Sequence, residues 1–357
     1  MWINKPFFRY ATAIILLLII ILLLGKIDYF VWPFQKLIAS VFFPLLLSGF
    51  LYYILRPSVR LLSRYMPRTP SILAVFLILF GLGYAFVHFA GPSIAGQVKQ
   101  ISSNFPSKVQ ELTDESKKMV EDSPKAKESV DKIKSQADSF SGMFFKAAEK
   151  NIGKVVASLT GIVTVLAVVP FIVFYLLRDG ERLQPALLRI IPNDRQEEGR
   201  TILKDIDNTL SSYIVGQFII AVADGILLYA GYLMIGLGNA LLLALFAMSV
   251  AVVPFIGPIL GIIPAVFIAL MDSPSMVVKV LLVMFVVQQL EGNLITPKVM
   301  GKKLDLHPLT VIFVLLIAGS VYGFIGILIA IPVFAVVKVT FNNIREFFNL
   351  KKIKKAI

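Results

Sequence analysis

Cysteine is absent from the 357 residues. No disulfide frame, thiolate metal site or cysteine nucleophile can therefore be built, and redox chemistry says nothing about the compartment. Histidine is limited to His88 and His307. No Ser/His/Asp set is evident, and there is no H-E-x-x-H helix. The phosphate-cradling pattern G-x-x-x-x-G-K-[ST] is missing, which excludes ATP hydrolysis by that route. No motif asks for a cofactor or a metal. Charge is also scarce: 16% of the residues are Asp, Glu, Lys or Arg, against about a quarter in a soluble domain. An enzyme working inside the membrane would lack its residues.

What the chain has instead is apolar length. Hydrophobic residues make up 57% of it, in blocks long enough to cross a hydrocarbon core, which takes roughly 20 residues per helix. Four plain spans are expected, at about 7–24, 37–55, 72–90 and 155–177. The first apolar run follows Lys5 and Arg9, as in a signal peptide. It has no small-residue cleavage site before Lys26 and further spans follow, so it is expected to be retained. The formal net charge is +13. Nucleic acid is not the partner this suggests, because the positive residues flank apolar blocks instead of forming one soluble face. Arg56, Arg60, Arg64 and Arg68 lie in one connector without an acid, which the positive-inside rule assigns to the cytoplasm. The N-terminus is then cytoplasmic as well.

Residues 91–154 fall outside the cytoplasm in that scheme and are rich in Lys, Glu, Asp and Ser. Apolar residues recur there at helical spacing, as Val98, Ile101, Phe105, Val109 and Leu112, and again as Val130, Ile133, Ala137 and Phe140. Amphipathic helices broken near Pro106 and Pro124 are expected, either packing on neighbouring helices or docking a partner. A charged cytoplasmic helical stretch, 178–212, follows the fourth span, with Pro192-Asn193-Asp194 as a turn and N-cap. The expected organisation is three spans in 1–90, the outer segment 91–154, a span with its cytoplasmic linker in 155–212, a transport unit in 213–345 and a basic tail in 346–357.

The expected transport unit contains two interrupted segments. Residues 240–270 are apolar over about 31 residues, which as one helix would measure about 46 Å against a core of about 30 Å. The middle reads Pro254-Phe255-Ile256-Gly257-Pro258, where two prolines remove amide donors and break the helical ladder. Residues 309–339 repeat the arrangement around Tyr322-Gly323-Phe324-Ile325-Gly326, and Pro264 and Pro332 follow the two Phe-Ile-Gly sequences. A helix precedes each segment, at 213–235 and at 275–290. The expected fold is all-α: a polytopic helical membrane protein with two helical hairpins, entering from opposite faces as an inverted repeat. The alternatives are that each apolar block crosses once, or that both arms of each hairpin cross fully, which keeps the same loop sides. Broken backbone at membrane depth survives only where protein or a wet cavity satisfies it, so the two tips are expected to meet and to offer amides and carbonyls to an ion or polar solute.

Several side chains point to the same region. Asp224 lies mid-span, where a carboxylate costs about 2.5–3.5 kcal/mol on insertion scales; it is either a proton or cation site or a buried carboxyl bonded to a neighbour. Gln217 shares its face two turns earlier. Gln288, Gln289, Glu291 and Asn293 form a polar cluster suited to a polyol or hydrated ion, or to bonds between helices. His88 and His307 read as structural or interfacial in preference to proton relays.

The segment from Pro192 to Val339 resembles the autoinducer-2 exporter family of bacterial permease-like proteins. The resemblance rests on Gly216-Gln217, Pro254 to Pro258, Glu291-Gly292-Asn293 leading to Pro297, Gly301, His307-Pro308, Gly323, Gly326 and Pro332. The N-terminal third is similar only in hydropathy and in its long outer segment, and Asp224 lies outside the matching residues. The resemblance implies an oligomeric exporter with an elevator-like transport unit; its members are linked to autoinducer-2 efflux and to Na⁺(Li⁺)/H⁺ exchange. Taken together, a secondary transporter of a small polar solute or of monovalent cations is expected, in a bacterial cell membrane, with both termini cytoplasmic. A non-transporting scaffold binding a partner through 91–154 is the alternative.

Overall fold

The computed structural model describes residues 10–19, 28–119, 159–300 and 307–356. Among them every regular element is helical. In chain order these are α1 (Tyr10–Ile19), α2 (Asp28–Leu62), α3 (Arg68–Met119), α4 (Leu159–Asp179), α5 (Leu183–Leu188), α6 (Gln196–Met234), α7 (Ala240–Val250), α8 (Ile256–Asp272), α9 (Pro274–Leu290), α10 (Thr296–Val299) and α11 (Pro308–Ala356). Two compact units divide them: Met1–Tyr52 with Thr160–Leu176, and Tyr53–Leu159 with Leu177–Ile357. Within the first, the fully buried Ser48 hydroxyl donates to the Pro44 carbonyl at 2.6 Å, which keeps its polar atom paired inside the helix. The hairpins and the site described below belong to the second.

Five stretches among the described residues are long and apolar enough to cross a membrane: Val41–Leu62, Arg68–Ile101, Asn193–Met234, Pro274–Val299 and Gly326–Arg345. In Arg68–Ile101 only 11% of the most apolar window is buried by protein. Leu77, Val87 and Phe89 stand exposed along it. Such a surface in water would be an aggregation site, whereas hydrocarbon covers it without cost. The all-α, multi-pass membrane architecture expected from hydropathy is the one observed.

The helices run further than hydropathy alone indicates. α2 starts at Asp28, inside the expected first connector, and continues through Arg56 and Arg60 to Leu62. Once a helix is nucleated, each added residue contributes a hydrogen bond at little further cost. The real connector is Ser63 to Pro67, where the proline restrains its predecessor from helix. α3 passes residue 90 and residue 106 without interruption, so no break occurs at Pro106. A proline deletes one amide and crowds one carbonyl, which a long helix absorbs as a kink when both flanks favour helix. Pro124 and the second apolar series, Val130 to Phe140, lie outside the described residues. The expected turn at Pro192 to Asp194 is present, as a short 3₁₀ turn over Asn193–Arg195. It does not cap with a side chain: Arg195 occupies the cap position of α6, and the Asn193 Oδ1 accepts from Gln196 Nε2 at 2.8 Å.

α6 ends in a Schellman arrangement. Gly236 has φ +73°, and the Leu237 amide reaches back to the Tyr232 carbonyl at 2.9 Å. Asn239, left-handed at φ 59°, then starts α7. α7 and α8 pack side by side as a hairpin. The reason is legible in spacing: Gly257, Gly261, Ala265 and Ala269 recur every four residues on one face of α8, all buried, opposite Ala240, Ala244 and Ala247 of α7. A Cβ on Gly261 would sit 3.0 Å from the Ala247 Cα, so backbone meets backbone. Without a hydrophobic force between helices in lipid, this close approach is what holds them. Ser273 then caps α9 through its side chain, which accepts from the Met276 amide.

α11 also reverses. Gly323 has φ 59° and ψ −142°, outside helical space and in a region open essentially to glycine alone. On its two sides Gly319 faces the Ile327 side chain, and Gly326 faces the Ala318 carbonyl. Residues eight apart in a straight helix lie about 12 Å apart, so these contacts require a fold-back. Both interrupted segments are therefore helical hairpins within the chain.

Candidate functional site

The end of α7 and start of α8 are joined by irregular backbone, Ala251 to Phe255. Pro254 and Pro258 deny the helix two amides here. Phe255 takes up the reversal with φ 62° and ψ −50°. The Ile256 amide donates to the Pro254 carbonyl at 2.7 Å, closing a three-residue γ-turn of the rare positive-φ kind. For a bulky side chain this conformation costs on the order of 1–3 kcal/mol. The Ala251 carbonyl accepts from the Gln217 Nε2 of α6 at 2.7 Å. Gln217, 6% exposed, thus pins the interrupted turn to the long helix.

A second irregularity faces the first. After α9 the chain makes one π turn over Glu291–Ile295, with the Thr296 amide bonded to the Glu291 carbonyl. The wider ring re-aims the side chains that follow, a device concentrated at functional sites. Glu291 Oε2 accepts from Gln288 Nε2 at 2.9 Å.

Between these irregular segments lies a cavity of about 320 Å³. α6 contributes Tyr213, Gln217 and Ile220; the first hairpin contributes Pro254, Phe255 and Pro258. The α9 end and π turn supply Gln288, Glu291 and Gly292, followed by Thr296 and Met300, and α11 adds Val311 and Ile331. Its size is at the lower end of ordinary small-molecule sites, about 300–1,000 Å³. Apolar walls with a few convergent amides, hydroxyls and one carboxyl suit a small, partly polar solute.

Of the residues expected at the site, Gln217, Pro254, Pro258, Gln288 and Glu291 line the cavity. Asp224 does not line it but lies beside it, 2% exposed and in contact with Glu291. Gly257 packs on the backbone at Val250 and Ala251, holding the hairpin closed. Gln289 and Asn293 bond to each other at 3.3 Å on an exposed face, so the expected four-residue cluster divides in two. Pro297 is exposed. Pro332 is buried beside Ile331, and Gly326 packs inside the second hairpin. The second turn at Gly323 is absent from the lining, and α11 reaches the cavity through its arms instead. His307 Nδ1 accepts the Leu309 amide at the start of α11, and His88 stacks on Tyr84.

Sequence reasoning did not find Tyr213, Ile220, Phe255, Gly292, Thr296, Met300, Val311 or Ile331. The apolar ones look like any membrane residue, and Phe255 stood out only as part of a Pro-rich break. Tyr213 and Thr296 each had a signal, a polar group adjoining the matching motifs.

The fold and this cavity define a multi-pass helical membrane protein with a solute-sized site between an interrupted hairpin and a π turn. The chain belongs to the AI-2E family of transporters: the model described as AI-2E family transporter matches residues 10–346. It is 37% identical over 350 residues to the candidate transport protein YueF of Bacillus subtilis (strain 168), covering 96% of this chain and 95% of YueF. It is 27% identical over 301 residues to the candidate permease PerM of Escherichia coli (strain K12), covering 83% of this chain and 85% of PerM. Its role is membrane transport, not enzymatic catalysis.

Proposed function

We propose that this protein is a secondary transporter that exports a small polar solute of the autoinducer-2 type through the cavity, with the hairpins moving elevator-like relative to a fixed scaffold. The observation that carries this reading is the cavity itself: solute-sized, lined by Gln217, Gln288 and Thr296, and bounded by the strained Phe255 turn. Amides and hydroxyls both donate and accept, as a polyol requires. Interrupted helices at membrane depth are where transporters place substrate. In this reading 213–345 is the transport unit, and its two span-plus-hairpin halves are inverted relative to one another. The protein sits in a bacterial cell membrane with both termini cytoplasmic and works as a homo-oligomer.

A second reading, exchange of monovalent cations such as Na⁺ for H⁺, is favoured by the Glu291 carboxyl in the lining. Flux into reconstituted vesicles, over a panel of polyols, autoinducer-2, Na⁺ and Li⁺, separates the two. Solute flux that falls at least tenfold in Gln288→Leu and Thr296→Val, with size-exclusion profile and melting temperature retained, supports export. Flux of no solute in the panel, or flux indifferent to both substitutions, overturns it. A transport-free scaffold acting through 91–154 would show no flux of any solute in the panel.

A further inference from the structure

Buried within the second unit are two carboxyls from distant parts of the chain. Asp224 projects from the last third of α6, and Glu291 is the first residue of the π turn. The two side chains lie close enough to act on one another, where α6 packs against the π turn. Asp224 is 2% exposed, and its Oδ1 has no hydrogen-bond partner. Glu291 is half-buried, lines the cavity and is held by Gln288 Nε2.

Two ionised carboxylates have four acceptor oxygens and no donor between them, so two that meet away from bulk water repel unless one carries a proton. Among the described residues, no positive charge acts on either carboxyl in its place. α7, packed on α6, carries no titratable side chain. The other elements packed on α6 carry Lys279, Lys298, Lys338 and Arg345 among their described charged side chains. Among the described charged groups on these elements, Glu291 is the one that acts on Asp224. Glu291 in turn meets Gln288 and Asp224. The orphaned Oδ1 costs free energy that a purely structural buried carboxyl would have been arranged to avoid.

We propose that Asp224 and Glu291 together hold one exchangeable proton, loaded and released through the cavity by way of Glu291, and that this proton couples transport to a proton gradient. The coupling clause rests on the cavity being the transport pathway; the proton site does not. Asp224 is the enclosed partner and Glu291 the one open to water. When the proton leaves to cavity water, the two carboxylates repel across the contact between α6 and the π turn. When it returns, the contact closes. Proton occupancy thereby acts on the segment that lines the solute cavity.

The test uses the full-length protein in lipid vesicles with no solute added. An apolar carbodiimide modifies protonated carboxyls within the membrane, and peptide mass spectrometry locates the adduct. Modification at Asp224 or Glu291 is expected to fall at least fivefold between about pH 6 and about pH 9, a window bracketing the solution range of perturbed carboxyls. Asp224→Asn is expected to cut modification of Glu291 at neutral pH at least fivefold, and to remove a protonated-acid carbonyl band from the infrared spectrum. Glu291→Gln, which can keep an amide partner for Gln288, serves where Asp224→Asn does not fold, and is expected to remove the same band. Absence of adduct at both residues together with absence of that band overturns the proposal, as does modification that is flat with pH. Because no solute is present, these outcomes stand apart from those of the flux assay. Vesicles showing the pH-dependent adduct but solute flux indifferent to a proton gradient would retain the site and overturn the coupling.

Discussion

At the scale of single residues, two backbone positions and one amide set the geometry of the site. Phe255 is held at positive φ with its ring half exposed, so its side chain contributes little packing against the conformational cost. Phe255→Gly is expected to stabilise the protein by about 1 kcal/mol, read as a rise of a few degrees in melting temperature in detergent; no rise would mean the γ-turn is unstrained. Gly323 is the reverse case. Gly323→Ala places a Cβ at φ 59° and ψ −142° and is expected to cost about 1–3 kcal/mol in the same measurement, although open space surrounds the new methyl. Gln217→Leu leaves the buried Ala251 carbonyl without its donor and is expected to cost about 1–3 kcal/mol, whereas Gln289→Leu, on the exposed face, should cost under about 0.5 kcal/mol. At this scale the sequence singles out Gln217, Gln288 and Glu291, which line the cavity, because a polar side chain in an apolar block demands an explanation. It could not identify the partner of Gln217. A carbonyl freed by the break is common to any interrupted helix, and which donor reaches it depends on how α6 lies beside the hairpin.

At the scale of elements, the first hairpin is a zipper of small residues. Gly261→Leu would drive a branched side chain into the Ala247 backbone. A loss of about 1–3 kcal/mol or more is expected from overpacking alone, and hydrogen exchange should rise throughout α7 and α8. Rise confined to the mutated turn would argue that the two arms are not closely coupled. α3 supports the same hairpin from another side: Gln97 Oε1 accepts the Leu242 amide near the start of α7 at 3.2 Å, and Ile101 packs on Leu242 and Phe267. The series Val98, Ile101 and Phe105 had marked this part of α3 as amphipathic, and the buried Ile101 accounts for it. The hairpins were legible because excess apolar length and missing amide donors are local facts. The absent break at Pro106 was misjudged by the same local logic. A proline only weakens a helix, and it ends one where another conformation satisfies the freed groups better.

At the scale of the whole molecule, the chain exposes apolar helix surface that only lipid can cover, and its few charges are placed accordingly. Arg56 makes a two-oxygen contact with Asp207 at 2.8 and 2.9 Å, and Tyr53 donates to the same carboxylate. These groups join the end of α2 to the polar part of α6. Arg56→Ala is expected to cost about 1–3 kcal/mol, as for a hydrogen bond to a charged group, and salt should reproduce little of that loss because the arginine is largely shielded. Orientation is tested by accessibility: a single cysteine at Lys302, introduced into a chain with none of its own, is expected to react with a membrane-impermeant reagent only from the cytoplasmic side. Labelling from outside would remove the inverted arrangement of the two halves.

The amino-acid sequence by itself determined that this is a helical membrane protein, which two apolar blocks double back on themselves and to which transporter family it belongs. Each of these follows from properties that neighbouring residues carry together: hydropathy, donor loss and motif spacing. Only the tertiary structure decided that Glu291 meets Asp224, that Gln289 and Asn293 turn away, and that the second hairpin reaches the cavity by its arms and not its tip. Those outcomes depend on the rotation of one helix against another, which small changes in packing set and no local pattern encodes.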